Sequence, residues 1–108
     1  MIERLYEEAR RRPSDICEHL ELLSRLSSLC DGVTEFGVRT GVSTVALIHG
    51  RPKRLVSYDV NPVENLSDLA AAADEAGVSF TFHQVNVLRT TIEETGFLFI
   101  DTLHTFLN

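Results

Sequence analysis

Residues 33–44 read Val33-Thr34-Glu35-Phe36-Gly37-Val38-Arg39-Thr40-Gly41-Val42-Ser43-Thr44, and this stretch decides the fold. It opens as a short β-type run over Val33–Val38. It then turns through Gly37 and Gly41, and it ends where a helix begins, with Ser43 or Thr44 expected as the N-cap of a helix running to His49. Glycine lets a backbone turn tightly and approach a ligand with no Cβ in the way. A helix N-terminus adds free N–H groups and the positive end of a dipole, suited to a carboxylate or phosphate. The stretch therefore reads as a strand, a glycine turn and a helix. The dinucleotide fingerprint G-x-G-x-x-G is not met, because Arg39 stands where the middle glycine would be. A phosphate-binding P-loop is excluded, because no Gly-Lys-Ser/Thr follows.

Outward from this turn the alternation continues. Leu55-Val56-Ser57-Tyr58 is a second strand closed by Asp59, and Gly50 lies just past the preceding helix. Residues 66–76 are rich in Ala and form a helix ending at Gly77. Ser79–Val85 alternates as a third strand, residues 89–95 suit a short helix, and Phe97-Leu98-Phe99-Ile100 is a fully apolar fourth strand. A run of four apolar residues predicts burial on both faces of a parallel sheet. Upstream, residues 1–12 carry Ile2, Leu5, Tyr6 and Ala9 at helical spacing and stop at Pro13. A second helix is expected from Ser14 or Asp15, with Glu18 completing a capping box. Its stripe would be Ile16, Leu20, Leu23, Leu26 or Ser27, and Cys30, and Asp31-Gly32 would end it. Strands alternating with helices give an α/β fold: a Rossmann-like three-layer α/β/α domain with a parallel sheet and right-handed crossovers, behind two leading helices.

Open sheets of this kind bind ligands at the carboxyl ends of their strands. The polar residues there are the candidates. Glu35, Gly37, Gly41 and Ser43 surround the first turn. Asp59, about twenty residues after the glycines, suits the two hydroxyls of a ribose, a reading favoured over that of a turn-initiating Asp before Asn61-Pro62. Asn86, after the third strand, suits an adenine amino edge or a plain loop. Asp101 follows the fourth strand, and a carboxylate at the mouth of a buried strand needs solvent, a partner or a metal. His104, three residues on, suits a ligand or base as well as a structural role.

Composition sets outer limits. The chain has 108 residues, 44% hydrophobic and 24% charged, which fits one globular domain over 1–108. Lys plus Arg is 10 against 16 Asp plus Glu, and the net charge of −6 argues against nucleic acid and against an anionic membrane surface. Cys17 and Cys30 form no CxxC pair and read as buried free thiols. With no signal-peptide pattern and no apolar stretch of membrane-spanning length, a cytoplasmic location is the expectation.

Together these residues resemble the class I S-adenosylmethionine (SAM)-dependent methyltransferases. Glu35–Thr44 looks like the E-x-G-x-x-x-G-x-S-T form of their first motif. Phe99-Ile100-Asp101-Thr102-Leu103-His104-Thr105-Phe106 looks like the F-I-D-x-x-H-x-Y motif of a branch with catechol O-methyltransferase-like enzymes and the cephalosporin hydroxylase or rhamnosyl O-methyltransferase group. The resemblance covers about residues 30–106 and implies a sheet order of 3-2-1-4 for the strands present. It implies that Gly37 and Gly41 line the methionine part of SAM, with Ser43 in the same first motif. Glu35 would orient its amino group, Asp59 hold the ribose, and Asn86 stand near the adenine. Asp101 and His104 become the catalytic candidates, with Asp101 a ligand for a divalent cation, usually Mg2+, that positions a small-molecule hydroxyl for O-methylation. Asn86 stands where many members carry Asp, and Phe106 replaces a Tyr. The family sheet has seven strands, so the resemblance implies the N-terminal portion of such a domain, truncated, with the C-terminal strands missing. A cofactor-binding half of a methyltransferase is one reading. A non-catalytic Rossmann-like module acting by self-association or partner binding is the other, since an apolar fourth strand at a sheet edge would form a homo-oligomer.

Overall fold

The computed structural model describes residues 1–11, 19–38, 40–85 and 96–100. In chain order the elements are α1 (Ile2–Arg11), α2 (Leu20–Ser28), β1 (Gly32–Phe36), α3 (Val42–His49), β2 (Arg54–Asp59), α4 (Leu66–Ala76), β3 (Ser79–Gln84) and β4 (Phe97–Ile100). All strand pairs are parallel and the order is β3-β2-β1-β4, as expected. The expected cap at Asp15 with Glu18, the helix over 89–95, and Cys17 lie outside the described residues.

The sheet's buried side is built by alternation. Val33 of β1 and Leu55 of β2 are register partners, and so are Glu35 and Ser57 one pleat later. These positions face α3, as the hydroxyl bonds of Ser43 and Thr44 to Glu35 establish. Helix α3 is buried along its length, from Val42 to Ile48, because α1, α2 and α4 all pack against it. Such a helix has no polar face to offer, and Val-Ala-Leu-Ile on all sides is the consequence. Leu20, Leu47, Ile48, Leu55 and Leu69 are fully enclosed at the centre of this core.

Three expectations need correction. Helix α2 buries Leu20 and Leu23 as expected and Ser27 of the two alternatives, together with Ser24, but Cys30 is only half-buried. The 20/23/27 side fits because Ser27 can approach α3 closely and donate its hydroxyl to the Leu47 carbonyl at 2.7 Å. Gly32 does not end the helix; it is the first residue of β1, where the Arg54 side chain lies against the space a Cβ would fill. Strand β4 is not buried on both faces. Phe97 and Phe99 are half-buried against the core while Leu98 and Ile100 are exposed, because β4 sits at the sheet edge.

Helix α1 is held down by a small polar network. Tyr6 is buried and stacks on the His49 ring at 3.8 Å. His49 Nε2 lies 3.0 Å from Glu3, and its Nδ1 lies 2.7 Å from the Ser24 hydroxyl. A neutral imidazole that donates from Nε2 and accepts at Nδ1 satisfies both contacts. Arg51 donates to the other Glu3 oxygen at 3.1 Å from a left-handed backbone conformation, φ 56°. Its own N–H bonds the Ile48 carbonyl at 2.8 Å, which helps offset that strain.

The hydrogen bond from His49, and next that from Arg51, hold the Glu3 carboxyl below its usual 4.5. A carboxyl lowered on folding contributes stability above its unfolded pKa and loses it as pH falls through the folded value. Glu3→Gln is therefore expected to be less stable than the parent in urea unfolding at pH 7. The gap should close as the pH drops below about 4.5; a gap independent of pH would rule out this electrostatic origin.

Candidate functional site

The carboxyl ends of the strands form one edge of the sheet. Phe36, Tyr58, His83 and Ile100 stand side by side across it in register. The winding order of the parallel strands reverses between β1 and β4, and at such a switch point open α/β sheets form the crevice that binds ligands.

The glycine turn sits at that crevice. Gly37 has φ 90° and donates its N–H to the Tyr58 carbonyl at 2.8 Å, extending the β1–β2 ladder by one step. Val38 N–H then donates to Asp59 Oδ2 at 2.8 Å. Gly41 has φ 87° and is itself the N-cap of α3. The expected capping by Ser43 or Thr44 does not occur: both lie inside the helix, and no side chain caps it. A Cβ on Gly41 would sit 3.1 Å from Leu69 and 3.2 Å from the Asn65 amide, so glycine also lets the starts of α3 and α4 close on each other. Asn65 adds a hydrogen bond to the Thr40 carbonyl at 3.2 Å.

Asp59 closes β2 and is half-buried. Its Oδ1 accepts from Asn61 N–H at 3.0 Å while Oδ2 holds Val38, so it makes the turn before Pro62 and pins the glycine turn at once.

Glu35 and Ser43 lie one layer beneath. Glu35 is wholly buried. Its Oε2 accepts from the Ser43 hydroxyl at 2.6 Å, and its Oε1 accepts from Thr44 at 2.7 Å and Ser57 at 2.8 Å. One carboxylate thereby joins β1, β2 and the first turn of α3. A buried acid is tolerated only when so supplied with donors. Ser57 and Thr44 were not among the expected site residues. The signal was a hydroxyl at the centre of the apolar Leu55–Tyr58 run, directly across from Glu35 once the strands are paired in register.

Gly37, Gly41 and Asp59 are thus brought together at the crevice, with Glu35 and Ser43 supporting them from below. Asn86, Asp101 and His104 lie outside the described residues. Among the described residues no group of three or more His, Cys, Asp or Glu side chains could hold a metal ion, and no helix is long and apolar enough to cross a membrane.

Neither a protein-family model nor a curated protein matches the chain. Solved structures do. An O-methyltransferase from Bacillus cereus in complex with SAH superposes with a TM-score of 0.57 at 19% identity, over 93% of this chain and 53% of its own. An SAH-bound methyltransferase from Podospora anserina gives 0.56 at 21% identity, over 93% and 49%. A Klebsiella pneumoniae protein assigned as an O-methyltransferase gives 0.59 at 16% identity, over 98% and 56%. This is the class I methyltransferase fold. The chain spans about half the length of the methyltransferases it matches. Within that half lie the parallel sheet, its reversal point and the glycine turn.

Removing the Glu35 side chain leaves three buried hydroxyls without their acceptor. Glu35→Ala is expected to cost about 3 kcal/mol or more, and Ser57→Ala about 1 kcal/mol, in urea unfolding. Equal effects of the two would contradict a shared hub at Glu35.

Proposed function

We propose that this chain is the cofactor-recognising half of a SAM-dependent methyltransferase. The observation that carries the reading is the pairing of Asp59 with the glycine turn. The acid at the end of β2 sits one hydrogen bond from Val38, so one site offers both a diol acceptor and an unobstructed turn. An adenosyl ligand with an amino-acid tail needs both. Asp59 would accept from the ribose hydroxyls, while Gly37 and Gly41 would pass close to the methionine part. The first turn of α3 would present N–H groups to its carboxylate. Glu35 would act from beneath by holding Ser43 and Thr44, rather than by reaching the ligand's amino group directly. Asn86 is proposed for the adenine edge. The SAH-bound state of two structural neighbours supports the choice of ligand.

The proposed reaction is O-methylation of a small-molecule hydroxyl. Bound SAM would supply an electrophilic methyl group on a sulfonium sulfur. The protein's task is then to align an acceptor oxygen behind that carbon and take up its proton. Asp101 and His104 are the residues proposed for that task, with Asp101 also suited by chemistry to a hard cation such as Mg2+. The second reading is a non-catalytic Rossmann-like module that acts by self-association or partner binding.

Isothermal titration separates these. SAH is expected to bind, and NAD is not. Asp59→Ala should weaken SAH by about tenfold or more, the scale of a lost charge-assisted contact. Asp59→Asn, which keeps one acceptor oxygen, should fall between the two. No SAH binding at millimolar concentration by folded protein would overturn the cofactor assignment; binding without methyl transfer to any hydroxyl acceptor would favour the module.

A further inference from the structure

We propose that Asn65 is a positioning residue for the cofactor site, acting by locking one peptide of the glycine turn. The inference rests on the cofactor reading above and adds a residue that belongs to neither sequence motif. Asn65 is the N-cap of α4. An asparagine there ordinarily turns its side-chain oxygen back onto the first N–H groups of its own helix. This one makes no such bond. Its amide reaches across to the start of α3 instead, and Nδ2 donates to the Thr40 carbonyl at 3.2 Å. A carbonyl accepts only from the NH2 end of the amide, so Thr40 fixes which way the side chain faces.

The bond falls on a peptide that is held at both ends. The Thr40 carbonyl and the Gly41 N–H belong to the same planar unit. The N–H donates to the Val38 carbonyl at 2.9 Å, and the carbonyl accepts from Asn65. Turning that plane over would set the Thr40 carbonyl against the Val38 carbonyl and leave the Asn65 amide facing an N–H. Gly41 is where such a turn is easiest, because glycine has no Cβ to oppose a change of φ. Its φ of 87° is the one from which α3 starts. The same Asn65 amide lies against the open side of Gly41, 3.2 Å from where a Cβ would stand.

Packing alone does not supply this hold. Among the described residues, a cleft of about 330 Å³ opens beside the contact, between α1 and the starts of α3 and α4, and Thr40, Gly41 and Asn65 line it. Leu69 closes on Gly41 from α4 but has no polar group to orient the peptide. Asn65 does, and it ties that orientation to the helix that follows Asp59. The glycine turn is thereby held from the same segment at two points: Asp59 holds Val38, and Asn65 holds Thr40. The position requires a donor. Aspartate caps a helix as well as asparagine does, but an ionised carboxylate offers Thr40 only acceptors.

Asn65→Asp separates the cap from the lock. Its stability in urea should stay close to the parent's, since Asp caps α4 in place of Asn. Hydrogen exchange, read by NMR in the ligand-free protein, should speed about fivefold or more at the Gly41 N–H, the scale of one neutral hydrogen bond. Exchange should not change at Ala72 and Ala73 within α4. SAH binding, read by titration, should weaken about fivefold or more. Asn65→Ser, neutral and able to cap but too short to reach Thr40, should repeat both effects. Ser67→Asp, which adds the same charge at an exposed position of α4, should leave both at the parent's values. Unchanged Gly41 exchange in Asn65→Asp would overturn the lock, and unchanged SAH affinity would overturn its role in binding; either leaves the cofactor reading intact. A loss of protection spread through α4 would make Asn65 a cap and nothing more, and a loss of affinity reproduced by Ser67→Asp would be an effect of charge alone. A parent that binds no SAH would overturn the cofactor reading and this role with it.

Discussion

A carboxylate sealed from water must be met by donors, and the three donors that meet Glu35 come from two different elements. Ser57 belongs to β2, and Ser43 and Thr44 to α3. The acid therefore fixes where α3 starts relative to the two central strands. If α3 rotated by one residue about its axis, Ser43 and Thr44 would leave the carboxylate and the charge would be stranded. That penalty is far larger than the few tenths of a kilocalorie that separate ordinary side-chain choices on a helix. The glycine turn hangs between these anchored ends, so its path follows from theirs.

Asp59 then completes what Glu35 begins. Glu35 anchors the turn's far end through α3, and Asp59 holds its near end through Val38. The two acids divide their work by depth. The buried one is consumed by structure, while the half-buried one ties the end of β2 to the glycine turn. This division explains why a carboxylate in a motif is not by itself evidence of ligand contact: burial and donor count decide what it can still do.

The strand–turn–helix order was legible because it rests on local chemistry. Glycines at the turn, Asp59 at the strand end and Gly77 at the α4 end, in a left-handed conformation at φ 79°, are all dictated by backbone geometry. The sheet order came through the resemblance and matches. What escaped were features set by partners distant in sequence. Ser43 and Thr44 have the right side chains to cap a helix, but Glu35 competes for their hydroxyls and Gly41 takes the cap position. Leu26 fits a helical stripe as well as Ser27 does, and only the close approach of α3 selects the serine. Strand β4 reads as doubly buried from its composition, although the sheet order implied by the resemblance already sets it last among the strands present, where Leu98 and Ile100 are exposed. The network of Glu3, His49 and Arg51 joins residues 46 and 48 positions apart, beyond any local pattern.

The division of labour along the chain follows from the same geometry. The groups proposed for cofactor recognition lie at β1 and β2, the central strands, whose ends are fixed from both sides and from beneath. Such positions are rigid, and rigid positions suit the binding of a ligand whose shape does not vary. The β4 side is different: its strand has one described neighbour, and its outward residues are apolar rather than reactive. The proposed site therefore rests on the two strands that the Glu35 and Asp59 hydrogen bonds hold most firmly.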